Sequence, residues 1–332
     1  MTKNFRLVAM ASLAFGVLLP SANASISTIY AFGDSLSDVG NIFAGTNGLI
    51  PATPPYYNGE FSNGPVWVQD LANQLGLGPL GPSLLGGTDY AYGSGETGPL
   101  PFNISDPRTD ILGAVGQLAQ FESTHATADP NALYTIWIGS NDLADLAATG
   151  NPALFAGGIA AIANNIDTTV TDLSVLGAKN FLVLNVPDLG VTPLAALGGP
   201  GAQFALSQLA LGLDQAMAAT LPGVAAADGV HLQLLNTYAL LGNIVASPSS
   251  FGFTNVTDSC LNTSTTPPTV CADPNQYLFW DDQHPTAAGH FLVAYEARAL
   301  VTPEPAYVSL VGAGLLGLGF ARRKFRGPGN AV

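Results

Sequence analysis

The sequence predicts an α/β protein, a three-layer α/β/α sandwich around a mostly parallel sheet of about five strands. Three observations carry this expectation. Short apolar runs rich in β-branched and aromatic residues recur at 28–32, 89–92, 133–138, 180–186 and 230–235. Helix-length segments at 65–75, 110–124, 153–176, 201–220 and 286–300 separate or follow them, the alternation of a chain that winds one sheet between two helical layers. Runs such as Tyr134-Thr135-Ile136-Trp137-Ile138 and Phe181-Leu182-Val183-Leu184 are apolar on both sides, as strands covered on both faces require.

The first run is broken by Gly33 and leads into Asp34-Ser35-Leu36-Ser37-Asp38. A serine is thereby delivered to the C-terminal edge of the sheet, where ligands and reactive groups of open α/β folds collect. Taken alone, Ser and Asp after a strand also serve as ordinary helix caps. The short 89–92 run ends in Gly93-Ser94-Gly95, and 133–138 ends in Gly139-Ser140-Asn141-Asp142. Both place small or amide-bearing residues level with Ser35, where an acyl-transfer site needs hydrogen-bond donors for the charge that develops on the substrate oxygen. Ser35 N–H, Gly93 N–H and the Asn141 side chain are the candidate donors.

Near the other end stands Trp280-Asp281-Asp282-Gln283-His284-Pro285-Thr286. Pro285 keeps His284 out of a helix and then opens the one over 286–300. A carboxylate three residues before the histidine can fold back onto one ring nitrogen, leaving the other to take a proton from serine. Asp281 has that spacing and Asp282 does not. Segments 40–64 and 243–280, rich in Gly, Pro, Asn, Ser and Thr, read as long loops over the same edge.

In this order the segments resemble the GDSL family of lipases and esterases, also called SGNH hydrolases, over roughly Ile29 to Leu300. The matching phrases are Gly33-Asp34-Ser35-Leu36-Ser37, Gly93, Gly139-Ser140-Asn141-Asp142 and Asp281-x-x-His284-Pro285. Phe61-Ser62-Asn63-Gly64 and Asn185-Val186-Pro187-Asp188-Leu189-Gly190 also look like the lipase-type branch. The resemblance implies a flavodoxin-like sandwich and a serine hydrolase of carboxylic esters. Its nucleophile would be Ser35, with His284 and Asp281 behind it and an oxyanion site of Ser35, Gly93 and Asn141. Tyr92-Gly93-Ser94-Gly95-Glu96 departs from the family's plainer glycine run, so Gly95 competes with Gly93 as donor. Other readings are an O-deacetylase of extracellular polysaccharide, or a non-catalytic matrix or adhesion protein on this fold. The chain lacks a G-x-S-x-G run, the mark of the α/β-hydrolase nucleophile elbow.

Composition sorts the 332 residues into one globular body with two distinct ends; 48% are hydrophobic and 10% charged. Residues 1–24 carry Lys3 and Arg6, an apolar stretch from Leu7 to Leu19, and Ala22-Asn23-Ala24, the pattern of a secretory signal peptide cleaved before Ser25. Residues 303–332 begin with Pro303-Glu304-Pro305, continue through the apolar segment 306–321 and end in Arg322-Arg323-Lys324-Phe325-Arg326. This layout resembles the bacterial PEP-CTERM sorting signal. It implies export, a transient membrane contact through 306–321 and removal by an exosortase-type protease after signal peptidase has acted. A permanent C-terminal anchor is the competing expectation. The expected product sits at the outer surface or outside the cell.

The body, 25–302, holds three cations against twenty-two acids, a net −19, which excludes a nucleic-acid partner. Cys260 and Cys271 are the only cysteines and in an exported chain are expected to form a disulfide. No metal-binding pattern is present, so no metal or cofactor is expected. The resemblance implies a small-molecule or lipid ester as the partner.

Overall fold

The computed structural model describes residues 26–98 and 112–302. The expected signal peptide 1–24 and sorting tail 303–332 lie outside them. The sheet contains β1 (Ile29–Gly33), β2 (Leu133–Trp137), β3 (Asn180–Leu184) and β4 (His231–Leu235), in that spatial order. All three pairings are parallel. Gly33 stands opposite Trp137, so the turns after β1 and β2 leave the sheet side by side.

Side-chain alternation assigns two apolar layers. Phe32, Tyr134, Ile136, Phe181 and Val183 face one cluster, while Ile29, Ala31, Leu133, Trp137, Leu182 and Leu184 face the other. Nine helices are present among the described residues. The first two are α1 (Asn41–Gly45) and α2 (Trp67–Gln74); α3 (Ala114–Thr124), α4 (Ser140–Ala148) and α5 (Phe155–Leu176) follow. The remaining four are α6 (Pro193–Leu197), α7 (Gly199–Asp228), α8 (Thr237–Ala246) and α9 (Ala287–Val301). Ile162, Ile166 and Val170 of α5 and Leu209, Leu213 and Met217 of α7 fill the first cluster. Trp67, Leu71 and Ala72 of α2 and Val293, Ala294 and Ala297 of α9 fill the second. The three-layer sandwich follows directly from this partition.

The sheet has four strands, where the sequence suggests about five. Segment 88–92 does lie along β1: Ala31 N–H donates to Thr88 O (3.1 Å), Tyr90 N–H to Ala31 O (2.7 Å) and Tyr92 N–H to Gly33 O (3.2 Å). On its other side the short segment 81–83 pairs only with Asp89, through Ser83 N–H to Asp89 O (2.7 Å) and Asp89 N–H to Gly81 O (3.0 Å), and side chains meet the remaining groups. Asn41 Nδ2 donates to Asp89 O (2.8 Å) and Ala91 O (2.9 Å), and Ala91 N–H donates to Asp89 Oδ1 (3.1 Å). The segment is left with isolated bridges from Asp89 to Ala31 and to Pro82.

Three further expectations change. Helix α7 runs on past 220 although it contains Pro222, and stops at Gly229, which has φ 63°. Helices α4 and α8 occupy stretches read as turn or loop. The loop expected at 243–280 contains β5 (Asn255–Ser259), β6 (Leu261–Asn262), β7 (Thr269–Val270) and β8 (Tyr277–Phe279). Cys260 and Cys271 are bonded across the β6–β7 pair. Cys260 N–H and Leu261 N–H donate to Phe279 O (3.1 Å) and Trp280 O (2.7 Å). The crosslinked hairpin is thereby tied to the residues that immediately precede Asp281.

Buried carboxyls organise the turn after β1. Asp38 accepts from the N–H groups of Gly40 (2.8 Å), Asn41 (2.6 Å) and Ile42 (3.2 Å), and from Gly93 N–H (2.8 Å). Asp89 Oδ2 accepts from Val39 N–H (2.9 Å), and Glu60 Oε2 from Val66 N–H (2.7 Å). Burial pushes Asp34 up to about 7, Asp38 and Asp142 to about 6 and Glu60 to about 8, with Asp89 also well above the usual range. Raised native values mean that folding favours the protonated forms. Their stabilising contribution is complete below the ordinary carboxyl values of 3.8 and 4.5 and is lost as pH rises through about 6 to 8. The melting temperature at pH 5 is therefore expected to exceed that at pH 8.5 by several degrees in scanning calorimetry. A flat or rising profile across that interval rejects the assignment.

Candidate active site

Strand β1 can approach β2 closely at its last residue because Gly33 has no side chain. A Cβ there would meet Trp137 O at 2.5 Å and Ser37 Oγ at 3.2 Å. The Gly33 peptide is held from both ends by Gln117 of α3: its N–H donates to Oε1 (2.9 Å) and its carbonyl accepts from Nε2 (2.7 Å). The chain then turns sharply, with Ser37 and Asp38 N–H groups on Asp34 O (both 3.0 Å) and Leu36 N–H on Asp34 Oδ1 (3.0 Å). Ser35 sits at the apex. No acceptor takes its own N–H among the described residues.

The structure brings Ser35 and His284 together across 249 positions of sequence: Ser35 Oγ is 2.8 Å from His284 Nε2. The other ring nitrogen, Nδ1, lies 2.7 Å from Asp281 Oδ2 and 3.0 Å from Oδ1. The three-residue offset works because Asp281 also caps its own turn. Its Oδ1 accepts from the N–H groups of Gln283 (3.0 Å) and His284 (2.7 Å). Asp282, the adjacent acid, instead offers its carbonyl to Leu194 N–H (2.7 Å).

The charges are matched to this geometry. Burial alone would raise the Asp281 carboxyl, yet the His284 ring and the surrounding N–H donors bring it down to about 2. Burial alone would lower His284, yet Asp281 carries the ring above its ordinary 6.5. The pair is therefore an ionised carboxylate holding an imidazole that titrates above its normal midpoint, with Nε2 directed at a serine hydroxyl.

Sequence reasoning missed several supports. Tyr56 donates its hydroxyl to Asp281 Oδ2 (2.7 Å), and the Phe61 ring lies 5.3 Å from the His284 ring at 34°. Both come from segment 40–64, read as a covering loop with Phe61-Ser62-Asn63-Gly64 noted as a phrase resembling the lipase-type branch but given no role at the site. Ser62 Oγ donates to Pro285 O (2.9 Å), and Asn63 Oδ1 accepts from Ala287 N–H (2.8 Å). The Phe61-Ser62-Asn63-Gly64 phrase thus clamps the start of α9 beside the histidine.

The candidate donors divide. Gly139, at φ 119°, lets β2 turn directly into α4 and puts Asn141 in its first turn. Asn141 Nδ2 donates one hydrogen to Gly95 O (2.9 Å) and lines the same cavity as Ser35. Gly93 is not brought to the site. Its N–H is spent on Asp38 Oδ2, and a Cβ on it would meet the Phe61 ring at 2.5 Å. Gly95 is the glycine linked to Asn141, though its own N–H closes a turn onto Tyr92 O (2.9 Å).

Ser35, Asn141 and His284 open into a cavity of about 1000 Å³, mouth included. Its walls are Leu36 and Trp137, Pro187, Leu189, Leu194 and Leu206, Leu240, Leu241 and Ile244 of α8, Leu278 and Phe279, and Val293 of α9. Polar lining is confined to a few residues beside Ser35 and at Thr192 and Thr237.

The GDSL-like Lipase/Acylhydrolase model covers residues 29–297. The chain belongs to that family. The matched range includes Ser35, Asn141, Asp281 and His284. A phosphatidylcholine-sterol acyltransferase of Aeromonas hydrophila is 33% identical over 55% of this chain and 51% of its own length. The chain therefore spans about half of that relative. A GDSL esterase/lipase of Arabidopsis thaliana is 27% identical over 82% of this chain and 88% of its own. An acetylxylan esterase structure from Geobacillus stearothermophilus aligns with a TM-score of 0.45 at 13% identity, covering 85% of this chain and 97% of that one. A likeness of that degree has no bearing on substrate.

The Asp281–His284 contact yields a direct test. Removing the carboxylate charge withdraws what favours the protonated ring, so Asp281→Asn should lower the His284 titration midpoint followed by NMR. Ester turnover should fall by roughly 10³–10⁴. Asp282→Asn should lower the midpoint less, since Asp282 is the lesser of the two influences on the ring, and leave turnover nearly unchanged; equal effects at the two positions overturn the pairing.

Proposed function

We propose that the protein is a serine esterase that hydrolyses carboxylic esters with apolar acyl groups. The observation that carries this reading is Ser35 Oγ at 2.8 Å from His284 Nε2 at the mouth of an apolar cavity. As Ser35 Oγ attacks the ester carbonyl, His284 Nε2 takes its proton, and the imidazolium is stabilised by Asp281, which stays ionised. The oxyanion is held by the free Ser35 N–H and by the second amide hydrogen of Asn141. Collapse of the intermediate expels the alcohol, which takes the proton from His284 and leaves an acyl-Ser35 ester. Water, deprotonated by His284, then releases the acid and restores the serine.

The apolar walls favour an acyl chain over a bare acetyl group on a sugar. Similarity to a protein named for phosphatidylcholine points the same way. Nothing in the cavity favours polysaccharide O-deacetylation, and a purely adhesive protein has no use for a histidine held between an ionised acid and a serine. We also propose that the enzyme is exported, with 1–24 removed by signal peptidase and the tail removed near Pro303-Glu304-Pro305 by an exosortase-type protease. The opposition between an acidic body and an apolar, basic tail supports this.

On p-nitrophenyl acetate, butyrate and palmitate, kcat/KM is expected to rise beyond acetate, with no acetate released from acetylated xylan. Ser35→Ala should abolish turnover with the fold retained, and a fluorophosphonate should label the wild type once, at Ser35. Labelling elsewhere, or preference for acetylated xylan, rejects the reading. For the ends, intact-mass spectrometry of protein from its native host should give a species running from about Ser25 to Pro303; retention of Arg322 to Arg326 means a permanent anchor.

A further inference from the structure

One wall of the cavity continues onto the outer surface. Helix α6 begins beside the histidine loop, where Leu194 N–H donates to Asp282 O (2.7 Å). Leu194 lines the cavity and is also 43% exposed, so it forms part of the rim. One helical turn further on the same face, Leu197 is 81% exposed. Phe204, in the first turns of α7, is 69% exposed, while the cavity residue Leu206 lies two positions on, on the opposite side of the same turn. From Leu189 to Leu213 the chain carries no charged side chain, while the body around it carries a net −19.

We infer that the α6–α7 corner is a docking surface for an uncharged or zwitterionic lipid–water interface, from which the acyl chain passes over Leu194 into the cavity. This rests on the proposed hydrolysis of acyl esters and names the physical state in which the substrate is met. Leu197 and Phe204 protrude with no partner covering them, and isolated large apolar residues cost little in water but gain when they enter an oily phase. The absence of cations on the corner and the acidity of the body argue against an anionic lipid surface. A protein seated here would cover the rim and block the entrance to Ser35. A lipid surface covering the same rim supplies the substrate. Continuity between exposed Leu197 and the rim residue Leu194 on one face of α6 is what favours lipid over a second copy of the chain.

The test separates surface binding from chemistry. Wild-type protein and the double variant Leu197→Asp/Phe204→Asp are compared in two assays, neither position lining the cavity. With p-nitrophenyl butyrate dissolved below its aggregation limit, the variant should keep wild-type kcat/KM, which also shows that it is folded. In flotation with phosphatidylcholine vesicles, wild type should bind and the variant should bind roughly ten-fold or more weakly, the scale of withdrawing one large apolar side chain from oil. Hydrolysis of an ester carried in those vesicles should fall in parallel. Vesicles containing phosphatidylglycerol should bind wild type less well than phosphatidylcholine alone. Should the aspartates prevent folding, Leu197→Ser/Phe204→Ser is read in the same assays.

Wild type that turns over dissolved butyrate but ignores phosphatidylcholine vesicles overturns the docking surface and leaves the esterase reading standing. Wild type that binds vesicles but hydrolyses no ester overturns the esterase reading alone. Equal flotation of variant and wild type, or a dimer in sedimentation that the same substitutions dissociate, assigns the corner to something other than lipid and rejects the inference.

Discussion

The contact between Ser35 Oγ and His284 Nε2 joins two turns that belong to opposite ends of the chain, and most of the architecture can be understood as holding one or the other still. On the serine side the constraint is steric: β1 reaches β2 so closely at Gly33 that a methyl group would strike the Trp137 carbonyl. Gln117 fixes the same peptide from both sides. On the histidine side the constraint is a set of short polar contacts. Asp281 caps the turn that carries His284, Tyr56 holds Asp281, and Trp280 N–H returns to His284 O at 2.7 Å. The disulfide-closed hairpin is attached to Phe279 and Trp280, so restraint from a long surface excursion arrives one residue before the acid. A site built in this way is pre-organised by packing on one side and by hydrogen bonds on the other.

The parts legible in the sequence are those set by short-range pattern. The four strands of the sheet are runs whose residues alternate between two apolar layers, and such runs announce themselves without tertiary information. Segment 89–92 has the same local character, yet its outer backbone groups are met by the short 81–83 backbone and by Asn41 and Asp89 side chains in place of a full strand. Neither partner can be inferred from the run itself. The Asp281-x-x-His284 pairing was legible because both members sit in one turn. Tyr56, 225 residues away from the acid it supports, was not. Gly93 shows the limit from the other direction: a local motif says that a glycine amide stands near the edge, but only the fold reveals that Asp38 has already taken it. Helix α7 passes through Pro222 because its buried face, Leu209 to Leu221, is anchored before the proline, so tertiary packing overrides a local breaker.

Family membership and site geometry answer different questions. Membership accounts for the order of the blocks and the type of chemistry, and it holds for relatives whose lengths differ widely from this chain. The choice of substrate rests on what surrounds Ser35 in this chain alone. Here α8 matters most, since Leu240, Leu241 and Ile244 turn one flank of the site into a hydrocarbon wall. The helix is positioned by Asn185, whose Oδ1 accepts from Thr237 N–H at 2.6 Å and whose carbonyl accepts from Trp137 Nε1 at 3.0 Å. A single residue at the end of β3 therefore links the sheet edge that bears the reactive groups to the wall that would receive the acyl chain.

The site's acids illustrate how one environment sorts identical side chains. Asp34, Asp38 and Asp142 lie within the same buried edge and are all pushed upward by burial, two of them although several N–H donors face them. Asp281 is buried to a similar degree and moves the opposite way, to about 2. The difference is the imidazole: it is the one partner among these four acids that can itself carry a full positive charge at contact distance, and a charge outweighs the amides that the others receive. The consequence is a division of labour set by electrostatics. Below about pH 6 the protonated carboxyls serve as hydrogen-bonding struts for the serine turn, and they take on negative charge only as pH rises through about 6 to 7. Asp281 is ionised across the whole range in which the others titrate; it is placed behind the histidine, where its charge raises the basicity of Nε2 and lies on the far side of the ring from the serine.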